Sequence, residues 1–198
     1  MYYDIASQYA AYFKDKHIEL VVKETAGSIE NLQLLTAADS EVDVAIVQGG
    51  LAAEAASNED LLAVANIYFE PVWVFYRGEA ELTRLNALKG QRIAVGGEGS
   101  GTRPLALLLL KENGVTQGDA DTALIDQGGV TAAEALKAGQ LDAVFLVTSP
   151  NAPTVRDLLA TPGIRLMDFE RAMAYSRRLP FLSAVTLHQG VVDLERNL

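Results

Sequence analysis

QRIAVGGEGSGTRPLALLLLKENG (91–114) is the stretch of sequence that most directly indicates the fold. An apolar, strand-like run ends in glycines and leads through a polar turn into a helical pattern that stops at another glycine. Glycines let backbone N–H groups converge, and the start of the helix adds partial positive charge. Residues 100–103 are therefore a candidate binding site for a carboxylate or phosphate, and Arg103 could form a bidentate pair with a carboxylate. A plain helix cap after a tight turn explains the pattern about equally well.

Nucleotide-binding motifs fail in this stretch. Counting from Gly97, the sixth residue is Thr102 where the dinucleotide-binding pattern needs glycine, and no Gly-Lys-Ser/Thr follows as a P-loop requires. Nor does the sequence show a catalytic triad, a nucleophile elbow or a metal-ligand spacing. Asp126, at the end of a predicted strand, is the one candidate general base, and a turn residue is the simpler interpretation. The sequence therefore predicts no catalytic residue, metal or cofactor.

Outward from this stretch, strand and helix patterns alternate along the chain, which predicts an α/β fold with mostly parallel sheets flanked by helices. Thr131 and Glu134 have the spacing of a capping box at a helix start. The predicted strands are 18–24, 42–48, 61–69, 71–77, 91–97, 141–148, 164–169 and 182–188, with one more that opens 122–129 and ends there in a turn. The predicted helices are 4–16, 28–40, the segment that opens at the capping box, and 152–163, with one more between the glycine-rich turn and the glycine stop of 98–114.

Composition excludes several classes of protein. The 198 residues are 49% apolar and 21% charged, which suits a folded core, and the absence of cysteine excludes disulfides and thiolate chemistry. A net charge of −10 disfavours nucleic-acid binding. The first residues lack the pattern of a secretory signal, and no apolar run reaches the ~20 residues that span a bilayer.

Three further features are candidate ligand contacts, each with a structural alternative. ETAGSIENL (24–32) repeats the order of strand, small polar turn and helix, although Ser28 as a simple N-cap is the favoured interpretation on its own. Gln48 ends an apolar run, as an orienting side chain or a surface amide would. Trp73 lies among aromatics that either wall a pocket or belong to the sheet core.

In the order and spacing of its motifs, the chain resembles TAXI-family solute receptors of tripartite ATP-independent periplasmic (TRAP) transporters. The motifs that carry the resemblance are ETAGSIENL (24–32), VDVAIVQ (42–48), YFEPVWVFYR (68–77), LKGQRIAVGGEGSGTR (88–103), ALKAGQLDAVF (135–145) and LPFLSAVTL (179–187). The resemblance implies a two-lobed type II periplasmic-binding-protein fold whose ligand lies in a cleft. It further implies a small carboxylate ligand, a membrane permease as partner, and a periplasmic or extracytoplasmic location.

The resemblance also implies lobe boundaries and ligand contacts. Residues 1–69 and 189–198 would form the first lobe and residues 70–188 the second, with hinge strands near 70–76 and 182–189. The expected ligand contacts are Tyr3, Thr25, Ala26, Gly27, Ser28, Gln48, Trp73, Ser100, Gly101, Thr102, Arg103 and Ser149, with Thr148 beside the last. TAXI-family receptors carry a strand and glycine turn before the equivalent of Tyr3, so we expect a partial chain with an incomplete first lobe.

Other functions remain open at this stage. The effector domain of a LysR-type transcription regulator has a similar two-lobed fold and binds small ligands, and a sensor that has lost transport is a further possibility. An enzyme on this scaffold is the least favoured, because the lysines lie on predicted helix faces or before strands. An upstream signal peptide would indicate a receptor, and an upstream helix-turn-helix would indicate a regulator.

Overall fold

The computed structural model describes residues 2–51 and 61–197, which belong to two compact units. The first unit comprises Met1–Leu62 together with Gly99–Gly101, and the second comprises Ala63–Glu98 and Thr102–Leu198. The lobe boundaries expected from the sequence stay a prediction.

The second unit contains a five-stranded sheet. Its strands are β1 (Val72–Arg77), β2 (Arg92–Ala94), β3 (Ala123–Ile125), β4 (Ala143–Val147) and β5 (Ile164–Leu166), in the order β3-β2-β4-β1-β5. β2 pairs in parallel with β3 and β4, whereas β1 pairs antiparallel with β4 and β5. Four of the five strands therefore run in one direction, which confirms the mostly parallel α/β prediction for this sheet.

Helices cover both faces of this sheet. They are α3 (Thr102–Glu112), α4 (Gly129–Lys137), α5 (Pro153–Ala160) and α6 (Ala172–Arg178), with 3-10 turns at Leu85–Leu88 and Asp119–Asp121. Because strand side chains alternate, Val74 and Tyr76 pack with α3 on one face while Trp73 and Phe75 pack with α4 and α5 on the other. Phe145 of β4 lies in the α3-side core and is fully buried.

The first unit is built differently. It contains α1 (Tyr2–Lys14) and α2 (Ser28–Thr36), and none of its described residues lies in a strand. The strands predicted at 18–24 and 42–48 are therefore wrong, as are those at 61–69 and 182–188. All four segments are irregular and pair with no strand. Their residues have high β-propensity, but a strand also needs hydrogen bonds to a neighbouring strand, and these segments have none. Val21 and Val44 are 84% and 73% exposed.

Two helix predictions also change. α4 begins at Gly129, so Thr131 lies inside the helix and its hydroxyl donates to Gly128 O at 2.9 Å. The predicted capping box with Glu134 is therefore wrong, because the glycine pair supplies the turn into the helix. Helix α6 was not predicted, and none of its seven residues is buried, so its sequence carries no core-facing pattern.

We expect Gly90→Ala to destabilise the second unit. Gly90 has a φ of +77°, its N–H donates to Thr122 Oγ1 at 2.8 Å, and a Cβ would lie 2.9 Å from Ala120 O. A left-handed alanine alone costs about 1–2 kcal/mol, and the backbone contact adds to that loss. Urea unfolding followed by circular dichroism measures the change. Gly97→Ala is the control, since its Cβ would meet nothing within 4 Å, and an equal effect of both substitutions would contradict this account.

Candidate functional site

Gly27, which precedes α2, packs against the glycine turn of residues 99–101 within the first unit. Its φ is +140°, a conformation that L side chains rarely adopt. A Cβ on Gly27 would lie 3.2 Å from Ser100 Cα and 3.3 Å from Gly99 O. The N–H of Ile29 donates to Gly99 O at 3.2 Å. The two turns are therefore in direct contact, and glycine is needed at position 27.

Ser28 and Gln48 complete this arrangement. Ser28 is 1% exposed, and its Oγ accepts a hydrogen bond from the N–H of Gln48 at 2.9 Å. A Cβ on Gly101 would lie 2.7 Å from Gln48 Oε1 and 3.0 Å from Ser28 Oγ. The absence of a side chain at 101 thus lets both polar side chains approach the glycine turn. Ser28 ties two segments together here and does not cap α2, because Gly27 is the N-cap.

We expect Ser28→Ala to destabilise the first unit. The substitution leaves the N–H of Gln48 without its acceptor in a partly buried place, which costs about 1–3 kcal/mol. Chemical denaturation measures the loss. Ser149→Ala is the control. The Ser149 hydroxyl accepts only an exposed hydrogen bond, from Asn151 N–H at 3.2 Å, so its removal is expected to change the free energy of unfolding by less than about 0.5 kcal/mol. If the two substitutions lower the free energy of unfolding equally, the hydrogen bond between Gln48 N–H and Ser28 Oγ does not stabilise the first unit.

The loop before Gly27 uses several of its polar groups internally. Thr25 Oγ1 donates to Asn31 Oδ1 at 2.5 Å, and Asn31 Nδ2 donates to Ile46 O at 2.7 Å. The N–H of Ala26 donates to the Glu30 carboxylate at 2.6 Å. Neither Asn31 nor Glu30 is among the expected ligand contacts, although both lie in the quoted stretch 24–32. In this conformation the Glu30 carboxylate occupies the N–H of Ala26, one of the residues expected to contact the ligand.

Near the first helix, Tyr2 contacts this cluster. Ser28 Oγ lies 3.5 Å from the Tyr2 hydroxyl, whereas Tyr3 is 47% exposed on α1. Adjacent residues on a helix point about 100° apart, so a one-residue shift in register decides which tyrosine faces the turn.

Arg103, in the first turn of α3, pairs with Asp126 within the second unit. Arg103 Nε and Nη2 donate to the two Asp126 carboxylate oxygens at 2.8 and 3.0 Å. Both side chains are exposed, at 37% and 54%, and exposed ion pairs generally contribute about 0–1 kcal/mol. The pair is therefore easily rearranged. Asp126, a candidate general base in the sequence, is here the ion-pair partner of Arg103. Neither sequence motif taken alone predicts this pairing.

The pair shifts the pKa of both members. The hydrogen bond from Arg103 holds the pKa of the Asp126 carboxyl below its usual range. The pKa of Arg103 is raised mainly by the Asp126 hydrogen bond, and the charge of Glu98 raises it further. Both groups are thus charged at neutral pH, so neither offers a proton-transfer group of near-neutral pKa.

Trp73 and Ser149 belong to the sheet and a loop. Trp73 is 4% exposed, stacks on Phe75 with ring centroids 6.2 Å apart, and donates from Nε1 to Thr148 O at 2.9 Å. These contacts favour the core interpretation of Trp73. Ser149 O accepts from Ala152 N–H at 3.0 Å at the loop before α5. Thr102 begins α3.

The structure therefore brings Gly27, Ser28, Gln48 and the 99–101 turn together in one unit, while Arg103 and Asp126 meet in the other. A surface concavity is lined by Gln189, Gly190, Val191, Val192 and Leu194. None of those five is an expected ligand contact.

A profile of the NMT1-like family matches residues 1–196. The chain belongs to this family. No helix in the described part of the NMT1-like chain combines the length and apolar character of a membrane crossing. Within residues 2–51 and 61–197, no group of three or more His, Asp or Glu side chains is placed to hold a metal ion.

Three solved structures of similar fold are binding proteins. An ancestral arginine-binding protein bound to arginine superposes with a TM-score of 0.56 at 18% identity, covering 83% of the NMT1-like chain and 67% of its own length. The periplasmic aliphatic sulphonate binding protein SsuA from Escherichia coli gives 0.52 at 18%, covering 88% and 62%. The substrate binding protein of an amino acid ABC transporter gives 0.51 at 15%, covering 85% and 66%. These likenesses confirm the expected type II periplasmic-binding-protein class of fold, and the NMT1-like chain spans about two thirds of each neighbour.

Proposed function

We propose that the NMT1-like chain is the ligand-binding part of an extracytoplasmic solute receptor that binds a small organic anion without transforming it. The ligand is of the carboxylate or acidic amino acid type. The fold, shared with binding proteins for arginine and sulphonates, supports a binding function. At the proposed site, Arg103 and Asp126 are both charged at neutral pH, so neither is a proton-transfer group of near-neutral pKa. This supports a non-enzymatic function.

The position and exposure of Arg103 carry this proposal. Its guanidinium lies in the first turn of α3, directly after a glycine turn, and is more than a third exposed. Guanidinium groups bind carboxylates in bidentate fashion, and the positive end of the helix dipole favours an anion at the same place. The ligand carboxylate is proposed to bind at Arg103 and the start of α3, and the expected contacts at Thr25, Ser28 and Gln48 of the first unit stay a prediction.

Native mass spectrometry of the receptor purified from its own cells tests the proposal. A receptor that binds its ligand tightly retains it through a gentle purification, so we expect a noncovalent adduct of one small acid that is released on denaturation. A protein that is free of any adduct, and stays free after incubation with cell extract, would contradict a solute-binding function.

The partner proposed for the receptor is the membrane permease of a TRAP-type secondary transporter. This proposal is supported by the series of motifs that the sequence shares with TAXI-family receptors. One neighbour of the same fold serves an amino acid ABC transporter, so the energy source of transport separates the two possibilities. In vesicles that contain the permease, receptor-stimulated uptake is expected to follow an ion gradient. Uptake that requires ATP and ignores the gradient would exclude the TRAP-type partner.

A further inference from the structure

Asn113 and Gly114 form an asparagine–glycine pair directly after α3, whose last residue is Glu112. Every other asparagine in the sequence precedes a residue larger than glycine. Asparagine is thermolabile, because the backbone nitrogen of the next residue can attack its amide carbon. A following glycine has no side chain to obstruct that attack and the widest choice of backbone conformation. Position 113 is therefore the place in this chain where the sequence most favours conversion of asparagine to a cyclic imide.

The side chain of Asn113 joins the end of α3 to α6 within the second unit. Its Nδ2 donates to Leu109 O at 2.7 Å, and its Oδ1 accepts from the Tyr175 hydroxyl of α6 at 2.9 Å. Arg178 of α6 pairs with Glu112, the residue before Asn113. Both ends of the Asn113 amide are therefore hydrogen-bonded, and these bonds fix where its amide carbon lies.

The backbone of Gly114 is held as well. Gly114 has a φ of +68°, and its N–H donates to Lys111 O at 3.0 Å, which is the arrangement of a left-handed helix C-cap. The N–H of the next residue, Val115, donates to Leu110 O at 2.9 Å, and Val115 is 1% exposed. The nitrogen that would attack Asn113 is therefore engaged in a hydrogen bond, and cyclisation requires that this bond and those of the amide open.

Cyclisation joins the backbone nitrogen of Gly114 to the amide carbon, Cγ, of Asn113. The Gly114 N–H loses its proton, the bond from Cγ to Nδ2 breaks, and Nδ2 leaves with a proton as ammonia. Water then opens the cyclic imide. Opening between Cγ and the Gly114 nitrogen gives aspartate, whereas opening between the Asn113 backbone carbonyl carbon and that nitrogen gives isoaspartate, in which the chain continues through Cγ.

We propose that Asn113–Gly114 is a modification site at which the chain forms isoaspartate and aspartate, and that the contact with α6 controls the rate. While Tyr175 donates to Oδ1, the amide stays engaged and conversion is slow. Either product breaks this arrangement, because aspartate has no N–H for Leu109 O and isoaspartate lengthens the backbone just before the buried Val115. The conversion therefore loosens α6 and the end of α3. The site does not depend on the proposed ligand.

Peptide mapping by mass spectrometry follows the conversion of Asn113 in warm, mildly alkaline buffer, with isoaspartate identified by electron-transfer fragmentation. Burial raises the pKa of the Tyr175 hydroxyl, which therefore stays a donor in that buffer. We expect conversion to be tenfold or more slower in the folded protein than in the same protein unfolded in guanidinium chloride. Tyr175→Phe is expected to speed conversion in the folded protein threefold or more, because Oδ1 loses its donor.

Two controls separate the contact with α6 from general effects. Tyr12→Phe removes the same hydroxyl from a side chain of the first unit that is 61% exposed, and should leave the rate at Asn113 unchanged. Val155→Ala removes buried volume from the core on the other face of the sheet and so lowers stability without touching α6. If global unfolding governed the conversion, Val155→Ala would speed it as much as Tyr175→Phe does, and this result would overturn the proposal.

Asn113→Asp, which installs one product directly, tests the consequence. We expect a lower urea midpoint than in the unsubstituted protein, because Leu109 O loses its donor and meets a carboxylate. Asn151→Asp is the matched control, since Asn151 Oδ1 accepts from Arg156 Nη2 at 3.2 Å and a carboxylate accepts there too. Equal midpoints for the two variants, equal conversion rates in folded and unfolded protein, or a Tyr175→Phe protein that converts no faster than Tyr12→Phe would overturn the proposal.

Discussion

Phe145→Ala is expected to destabilise the second unit by about 3–5 kcal/mol. Phe145 is fully buried at the centre of the sheet, where its Cα is opposite Val74 of β1. Its ring packs in the core that α3 covers. Removal of the ring loses both its transfer from water and its contacts in a densely packed interior, which the surrounding strands and helix cannot refill. Urea unfolding followed by circular dichroism measures the loss.

Phe69→Ala is the control for that measurement. Its side chain is 82% exposed, so the same chemical change removes little buried surface and is expected to alter stability by less than about 0.5 kcal/mol. Equal losses for the two phenylalanines would mean that the sheet of the second unit is not the core of the folded protein.

Arg103→Ala is expected to weaken binding of the amino acid or carboxylate probe by tenfold or more. A hydrogen bond to a charged group contributes about 1.5–3 kcal/mol, and a bidentate contact contributes two such bonds. The substituted side chain is exposed and leaves the core untouched. The folded state should therefore persist, and titration calorimetry of the complete receptor then reports the affinity alone.

Arg84→Ala accompanies this experiment as a control. Arg84 also forms an exposed bidentate pair, with Glu170, so its removal changes the net charge by the same amount. Affinity should stay within about threefold of the unsubstituted protein, because Arg84 pairs with Glu170 and is not among the expected ligand contacts. An unchanged affinity in Arg103→Ala itself would remove Arg103 from the site.

The sequence predicts the five sheet strands of the second unit because their signals are local. The buried run around Phe145, the glycine stop at Gly114 and the turn before α3 each specify an element by pattern. The runs 18–24 and 42–48 carry the same β-type pattern but pair with no strand in the described residues. A strand requires a partner, and a pattern along one segment does not contain that partner.

The candidate site is predicted only in part for a related reason. The turns at 25–28 and 99–101 are recognisable, and the structure brings them into contact. The pairing of Arg103 with Asp126 joins two positions 23 residues apart in sequence through the register of β2 and β3, which no single motif encodes. Trp73 offered two interpretations, and its buried ring and hydrogen bond to Thr148 O favour the core.

Equilibrium binding combined with recovery of the ligand tests the central claim most directly. The complete receptor is titrated with the small acid that binds it and is then denatured, and mass spectrometry measures the mass of the released molecule. We expect saturation at one ligand per protein and recovery of that ligand unchanged in mass. A ligand recovered with a changed mass, or the absence of saturable binding, would contradict it.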